Sequence, residues 1–546
     1  MKKVLLLAFL ISTALLAQPE PVNSEHPVYF FLRKASISGY LKSYDDAILP
    51  KSLNEIKSFL TELEALRSKA SASFIAELDY YKTIFLPEEL KEPLTFGGYF
   101  TSQNPRHLYE HKGKNYDLSI DPVLGLKVHG TDLTGSSGSS AAYLRYGGMA
   151  RFNYKDWFSA YLVAWNGNTY GSRKLNQVDN LVAQKFTFRR TGLEHFDGTE
   201  GGLFFEHDIF SASISRNREV WGENFFNKDK ISATSQYFDK IKFAIKTDIF
   251  TYNYLHGWLV MPQFIVPGNV ITGDTKTRTE KYTAQNRIAF DVSNRVRIGL
   301  WQSIIYSNRS FELGYLNPFL FWESAQRSLE DLDNSLIGVD VRYLPVAGLE
   351  LTGSLIFDDI NFQYMVPGKF QKFNNRFSFL TGLSYIPSFL ENLTVSASYY
   401  FVRPYTFAHP GAGEDLAYLN NSFPLGLDVK PNSDMINLRF DWQVEPFLRF
   451  SVDYKHIRHG ENEYDAAGNL VKNHGGSFFI STNSLSSEDA WFLAGEFQNT
   501  NILELSMHYS PGANTVIRAG YTYRKSNFSE PFPENYFFTS LNLFYF

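Results

Sequence analysis

Along most of the chain, apolar and polar residues alternate one by one. Ile288, Phe290 and Val292 alternate with Ala289 and Asp291; after Ser293-Asn294-Arg295, Val296, Ile298 and Leu300 alternate with Arg297 and Gly299. That pattern predicts a β-hairpin with one apolar and one polar face. The same period of two runs through 349–357, 393–401, 448–455, 503–509 and 517–523. The connections alternate too: 344–348, 386–392, 444–447 and 510–514 are short and carry proline, whereas 357–375, 404–437 and 459–489 are long and polar. Long strands with short turns at one end and long loops at the other are the layout of an outer-membrane β-barrel, long loops outside. About 450 residues at about 25 per strand and connection predict about 16 to 18 strands, an even number.

The two ends depart from this period. Residues 24–86 carry helical spacing. Pro27 opens a run in which Val28, Phe31, Leu32 and Ala35 recur until Gly39, Ser52-Leu-Asn-Glu55 is a capping box before Ile56, Phe59, Leu60, Leu63 and Leu66, and Phe74, Leu78, Tyr81 and Phe85 mark a third helix over 71–85. These predict a small periplasmic helical bundle over 18–90, joined through the Pro-bearing stretch 86–93 to a barrel over 91–546. Before it, Lys2 and Lys3, the apolar run 4–16 and Ala17 form a cleavable secretory signal, too short to span a membrane as a helix. The other end, Tyr536 to Phe546, reads as an aromatic closing strand in which Ser540 and Asn542 break the alternation on the face of Phe544 and Phe546. Address and architecture together point to the outer membrane of a Gram-negative-type bacterium, since only helices and closed barrels span bilayers.

Composition sharpens this in few places. Aromatic residues make up 16% of the 546, as interface girdles require. Cysteine is absent, which excludes disulfides and thiolate metal sites. Losing Lys2 and Lys3 takes the formal charge from −5 to about −7, which argues against nucleic acid as a partner. There is no Gly-x-Ser-x-Gly, His-Glu-x-x-His, P-loop or dinucleotide fingerprint, so neither an enzyme nor a cofactor is expected. His456 with His459, Asp358-Asp359 and Asp331 with Asp333 read as polar residues at strand ends and loop rims rather than as metal or acid–base pairs.

Three stretches together resemble the Wzi family of outer-membrane capsule-assembly proteins. The first is His26-Pro-Val-Tyr-Phe-Phe-Leu32 with Gly39-Tyr-Leu and Leu49-Pro50. The second is Arg216-Asn-Arg-Glu-Val-Trp-Gly222, followed by Phe238-Asp-Lys-Ile-Lys242 and Tyr254-Leu-His-Gly257. The third is Glu312-Leu-Gly-Tyr-Leu-Asn-Pro318 with Glu323-Ser-Ala, Asp331 and Asp333-Asn334. The resemblance runs from the bundle to about Asp359. It implies an all-β antiparallel barrel of about 18 strands above a periplasmic bundle, whose outer loops act as a lectin for capsular or extracellular polysaccharide. Outer-membrane lipid surrounds such a barrel, and periplasmic or outer-membrane polysaccharide-export components are the partners it implies for the bundle. The loop Gly222–Lys230 departs from the Gly-rich loop of relatives.

Glycan recognition uses aromatic faces and planar polar groups. On those grounds the candidate polysaccharide-binding residues are Arg216, Arg218, Trp221, Tyr315, Asn317, Trp322, Glu323 and Arg327. Trp301 is a further aromatic of the right type, although it and Trp221 equally suit girdle or packing positions. Arg216 and Arg218 are expected on one face of a strand. The apolar stretch 311–328, broken at Asn317-Pro318, is expected to plug the interior, which favours a glycan anchor. The alternatives are a diffusion porin for small anionic or sugar solutes and an adhesin with long loops.

Overall fold

The computed structural model describes residues 18–87, 97–131, 140–185, 187–190, 193–262, 264–266, 275–328, 330, 333–359, 362–364, 366, 368–410, 415–529 and 532–544. The expected leader (1–17), the later part of the 86–93 stretch, Asp331 and Phe546 lie outside these residues.

Eighteen long antiparallel strands close into one barrel. In chain order they are β1 (Tyr116–Gly130), β2 (Ser140–Tyr154), β3 (Phe158–Gly171), β4 (Leu193–His207), β5 (Phe210–Asn217), β6 (Phe238–Lys246), β7 (Phe250–Leu259), β8 (Lys281–Ser293) and β9 (Val296–Ser307). They continue as β10 (Asn334–Val346), β11 (Leu349–Asp359), β12 (Arg376–Tyr385), β13 (Leu393–Val402), β14 (Ser433–Glu445), β15 (Leu448–Glu461), β16 (Glu496–Gly512), β17 (Thr515–Ser526) and β18 (Asn535–Leu543). Each pairs with the next, and β18 closes on β1 with Leu541 opposite Leu126. Closure leaves no unpaired edge among these strands, the condition for backbone at membrane depth.

The alternation read from the sequence sets the two faces, and it is inverted relative to a soluble protein. On β15, Phe450 and Val452 are exposed on the outer wall, while Ser451 and Asp453 are buried inside. On β11, Leu351 is exposed, and Glu350, Thr352 and Ser354 are buried. The wall is apolar toward lipid and polar toward the lumen. The break on β18 follows the same rule: Asn542 accepts a hydrogen bond from the lumen side chain of Arg145 at 3.0 Å, and Ser540 lies opposite Lys127.

Three helices precede the barrel: α1 (Val28–Ile37), α2 (Leu53–Glu64) and α3 (Ala72–Phe85). The capping box forms, Glu55 N–H donating to Ser52 Oγ and Ser52 N–H to Glu55 Oε2, both at 3.2 Å. The helices share a core of Phe31, Leu60, Leu63, Leu78 and Tyr81. They are seated in the barrel end that carries the short turns: Gly348 N–H donates to Ile37 O at 2.8 Å, and Tyr80 Oη–H to Ser510 O at 3.1 Å. Every residue of α1 is buried, because the barrel wall covers the face that the other helices leave open.

Candidate functional site

Two long connections turn into the barrel and fill one half of it, the half walled by β6–β14. The first, 218–237, begins where β5 ends. Val220 and Trp221 pair with Leu49 and Ile48 of the N-terminal region, and Trp221 N–H donates to Ile231 O at 2.8 Å, folding the segment back on itself. Gly222 sits at φ +149, where a Cβ would meet Lys228 Cα and Asp229 N at 2.8 Å, so the turn requires glycine. The second, described over 403–410 and 415–432, packs Leu419 and Leu425 against Trp221 and Trp301 in one core cluster. The two connections join where Ser232 N–H donates to Leu425 O at 2.8 Å.

Charge fastens these pieces to the wall. Arg287 of β8 reaches Asp340 at 2.6 Å and Glu223 at 2.9 Å. Lys230 reaches Asp340 at 3.0 Å, Arg33 of α1 reaches Glu350 at 2.9 Å and also Asp46, and Arg342 meets Glu350 at 2.6 Å. Burial by itself would raise the carboxyls of Asp45 and Asp46, but Arg297 and Arg287 hold the first well below its ordinary value, and Arg33 and Lys228 lower the second. Ion pairs this deep are weak evidence of net stability, yet removing one partner strands the other.

The other half, walled by β14–β18 and β1–β5, holds a cavity of about 1060 Å³. Its walls mix arginines (145, 151, 218, 439, 449, 518) with carboxylates (Glu200, Glu504) and tyrosine rings (143, 161, 237). The extended segment 18–26 runs along it. Gln18 Nε2 donates to Asp117 at 2.7 Å, and Glu25 bridges Arg218 and, at 3.0 Å, Arg518. Burial works to raise the Glu25 carboxyl, and Arg218, Arg518 and Arg145 overcome it, bringing it down to about 2. Toward the long-loop end, Asp179 pairs with Lys127, and Gln184 Nε2 donates to Thr234 O at 2.6 Å.

The eight candidate residues fall in four separate places. Arg218 lines the cavity, its guanidinium 5.7 Å from the Tyr237 ring centre. Arg216 does not share its face: it points outward and pairs with Asp239 at 2.8 Å, because β5 ends at Asn217 and the chain then turns inward. Trp221 lies wholly buried in the inward connection, its Nε1–H donating to Glu219 at 2.9 Å. Trp301 is also buried, opposite Arg287 on the lumen face, so neither tryptophan belongs to a girdle.

Tyr315, Asn317, Trp322, Glu323 and Arg327 belong to a segment that does not plug the interior. Residues 311–328 lie on the outer wall, over β7–β9. Asn286 and Gln302 stand on the same outward row as Tyr254, and they hold the segment's backbone. Asn286 Nδ2 donates to Pro318 O at 3.0 Å, Gln302 Nε2 to Leu320 O at 2.8 Å, and Trp322 N–H to Gln302 Oε1 at 3.1 Å. Tyr254 Oη–H donates to Tyr315 O at 2.8 Å, and Tyr315 Oη–H to Asp333 at 2.6 Å. Trp322 Nε1–H donates to Asn317 O at 3.3 Å, and Glu323 pairs with Arg327 at 3.0 Å. Tyr315 and Trp322 are buried against the wall, whereas Leu313 and Phe319 are each 73% exposed away from it. The expectation of a plug fails here because apolar bulk in a membrane barrel belongs on the outside.

His456 and His459 do not pair, bonding instead to Asn501 and Ser433 at 2.9 and 2.8 Å. Asp358 accepts from Phe407 N–H, and Asp359 pairs with Arg376. The cavity residues Glu25, Arg145, Arg449 and Arg518 were not among the candidates. The signal that finds the three arginines is the polar phase of the strand alternation, read as lumen lining rather than as surface; Glu25 lies outside any strand and carries no such signal.

No family model matches the chain, and none of the curated proteins matches it in sequence. Among solved structures it is similar to Wzi, an outer membrane protein involved in group 1 capsule assembly in Escherichia coli and a carbohydrate-binding β-barrel. That similarity has a TM-score of 0.56 at 10% identity and covers 96% of this chain and 99% of the other. OprD of Pseudomonas aeruginosa is matched at TM-score 0.41 and 10% identity, over 78% of this chain and 94% of the other. OccK8 (OprE) of the same organism is matched at 0.44 and 8%, over 78% and 97%. At such identities the likeness is one of fold, that of outer-membrane barrels.

Proposed function

We propose that this protein sits in the outer membrane, binds capsular or extracellular polysaccharide and retains it at the cell surface, without catalysing a reaction on it. The observation that carries this reading is the filled interior: α1–α3 occupy the short-turn end, and 218–237, 403–410 and 415–432 occupy half of the lumen. A barrel built this way is poorly suited to free diffusion, while its remaining cavity offers the guanidinium, carboxylate and aromatic groups that recognise sugars. The similarity to a carbohydrate-binding barrel over nearly the whole chain supports the same reading. In this arrangement the short turns and helices face the periplasm, where polysaccharide-export components would meet the bundle, and the long connections face outward.

The test is the partition of polysaccharide between cells and medium in wild-type and deletion strains. Retention predicts glycan shed into the medium at unchanged total yield; an unchanged partition overturns it. The arginine-lined cavity along one wall favours a second reading, passage of small anionic or sugar solutes. Stable single-channel conductance of the purified protein in planar bilayers would establish that reading in its place.

A further inference from the structure

One row of lumen-facing positions crosses four neighbouring strands: Arg449 on β15 lies opposite His508 on β16, His508 opposite Arg518 on β17, and Arg518 opposite Ser540 on β18. Arg449 lies over the Phe30 ring at 4.3 Å but is short of hydrogen-bond acceptors. Its Nε and Nη1 are buried and donate no hydrogen bond. The carboxylate nearest it, Asp441, lies 3.9 Å away and is already held by Arg439 at 2.8 and 2.9 Å and by Ser451 at 2.6 Å. Buried guanidinium N–H groups without acceptors are unfavourable, and an added anion relieves them.

Beside this row, Glu25 occupies the place of a ligand. It belongs to no strand or helix, yet its two carboxylate oxygens are taken by two wall arginines, one by Arg218 and the other by Arg518 at 3.0 Å. Its side chain is still 37% exposed, so the pocket around it is open. Arginine forks match carboxylates in shape and charge better than they match neutral hydroxyls. The Tyr237 ring lies 5.7 Å from the Arg218 guanidinium, and Asn217 and Glu200 line the same cavity, the set of groups that hydroxyls and sugar C–H faces use.

We propose that this cavity binds the carboxylate of an acidic oligosaccharide, which takes the place of Glu25 between Arg218 and Arg518 and draws on Arg449. The saccharide part rests on the function proposed above; the carboxylate part rests on the arginines alone. A volume of about 1060 Å³ admits a short oligosaccharide. Glu25 is then a built-in competitor, and its removal strengthens binding instead of weakening it.

The experiment is calorimetric titration of the detergent-purified full chain with trigalacturonate, maltotriose and acetate. Trigalacturonate is expected to bind, more weakly as salt rises, with maltotriose about tenfold weaker or more. Glu25→Gln should bind trigalacturonate several-fold tighter, and Arg518→Gln about tenfold weaker or more. Tighter binding by Glu25→Gln cannot come from misfolding, and heat-modified gel migration checks that the Arg518→Gln barrel is closed. Equal affinities of wild type and both variants overturn the proposal, as does maltotriose binding as tightly as trigalacturonate or no binding by any ligand. Acetate binding as tightly as trigalacturonate overturns the saccharide part. Polysaccharide retention with these affinities unchanged removes the site and keeps the function; loss of the retention result with the Glu25→Gln gain intact does the reverse.

Discussion

Two connections leave the same end of the barrel and go opposite ways. The 218–237 segment, with Glu223, Lys228, Asp229 and Lys230 at its centre, turns into the lumen, where those four side chains are buried. The 311–328 segment, with Phe311, Leu313, Phe319, Leu320 and Phe321, turns out and lies on the wall with all five exposed. By the logic of a soluble protein the assignments would be reversed. In a membrane barrel the lumen is the polar compartment and the outside the apolar one, so each segment goes where its side chains are matched. How each is held differs accordingly. Inside, full charges meet full charges, as where Arg287 meets Asp340 and Glu223. Outside, neutral amides and phenols meet backbone carbonyls, as where Gln302 and Asn286 reach Leu320 and Pro318.

The sharpest way to break the inner arrangement is Arg287→Leu. Asp340 keeps Lys230 and Asp45 keeps Arg297, but Glu223 is left with only Arg33 at 4.0 Å. A stranded buried charge costs about 3–5 kcal/mol, so denaturant unfolding should show a loss of that size. Planar-bilayer recording should show channel openings absent from the wild type, as the inward segment leaves its seat. The outer counterpart is Gln302→Leu, which orphans one carbonyl and one N–H of the segment. The expected loss is smaller, about 1–3 kcal/mol. Limited proteolysis should then cut within 308–333 while the barrel still runs as a folded band.

The comparison also marks what could be read in the sequence. Strand alternation, turn lengths and the capping box at Ser52 are local signals, and local geometry is what they report: the strand pairs and α2 follow from them. The direction of a long connection is not local. It depends on whether the wall beneath offers charges or amides, and those partners lie far along the chain, as Glu223 is from Arg287 and Pro318 from Asn286. Placing Tyr315 and Trp322 inside transferred a soluble-protein rule to a lipid-embedded wall. A clue was present: Asn286 and Gln302 sit among the lipid-facing positions of β8 and β9, where polar side chains need something to bind. Likewise the cavity arginines other than Arg218 stand on the polar phase of β2, β14, β15 and β17, a phase that becomes a site only once the strands close.

Acid separates the two segments further. Burial alone would raise Glu55, but Lys246 and Lys51 bring it from 4.5 to about 2, and Asp45 is held low by Arg297 and Arg287. A carboxyl depressed in the folded state contributes fully above its unfolded value and loses that contribution as pH falls toward the folded one. The seat of the helices is therefore expected to hold above pH 4.5 and weaken between about 4.5 and 2. The amide and phenol contacts under Pro318 and Leu320 carry no such dependence. The chain has no cysteine, so a spin label on a single Lys57→Cys or Phe319→Cys side chain reports each place separately. Acid should mobilise the label at 57 first; simultaneous release at both would mean the two are not held by different chemistry.

The smallest effect is expected at Glu323. Its pair with Arg327 is an i, i+4 contact at 3.0 Å, with the Arg327 side chain 71% exposed. Exposed pairs of this kind contribute about 0.3–0.5 kcal/mol, near the limit of an unfolding measurement. Glu323→Gln should therefore leave both barrel stability and the protease resistance of 308–333 where they were, in contrast to Gln302→Leu. It should leave polysaccharide retention unchanged as well, because Glu323 lies on the outer wall, across β8 and β9 from the filled lumen and far from the arginine row of β15 and β17. A retention defect in Glu323→Gln would move glycan recognition to the outer wall, and the polar seat provided by Asn286 and Gln302 would then position a binding surface instead of a lipid-facing cover.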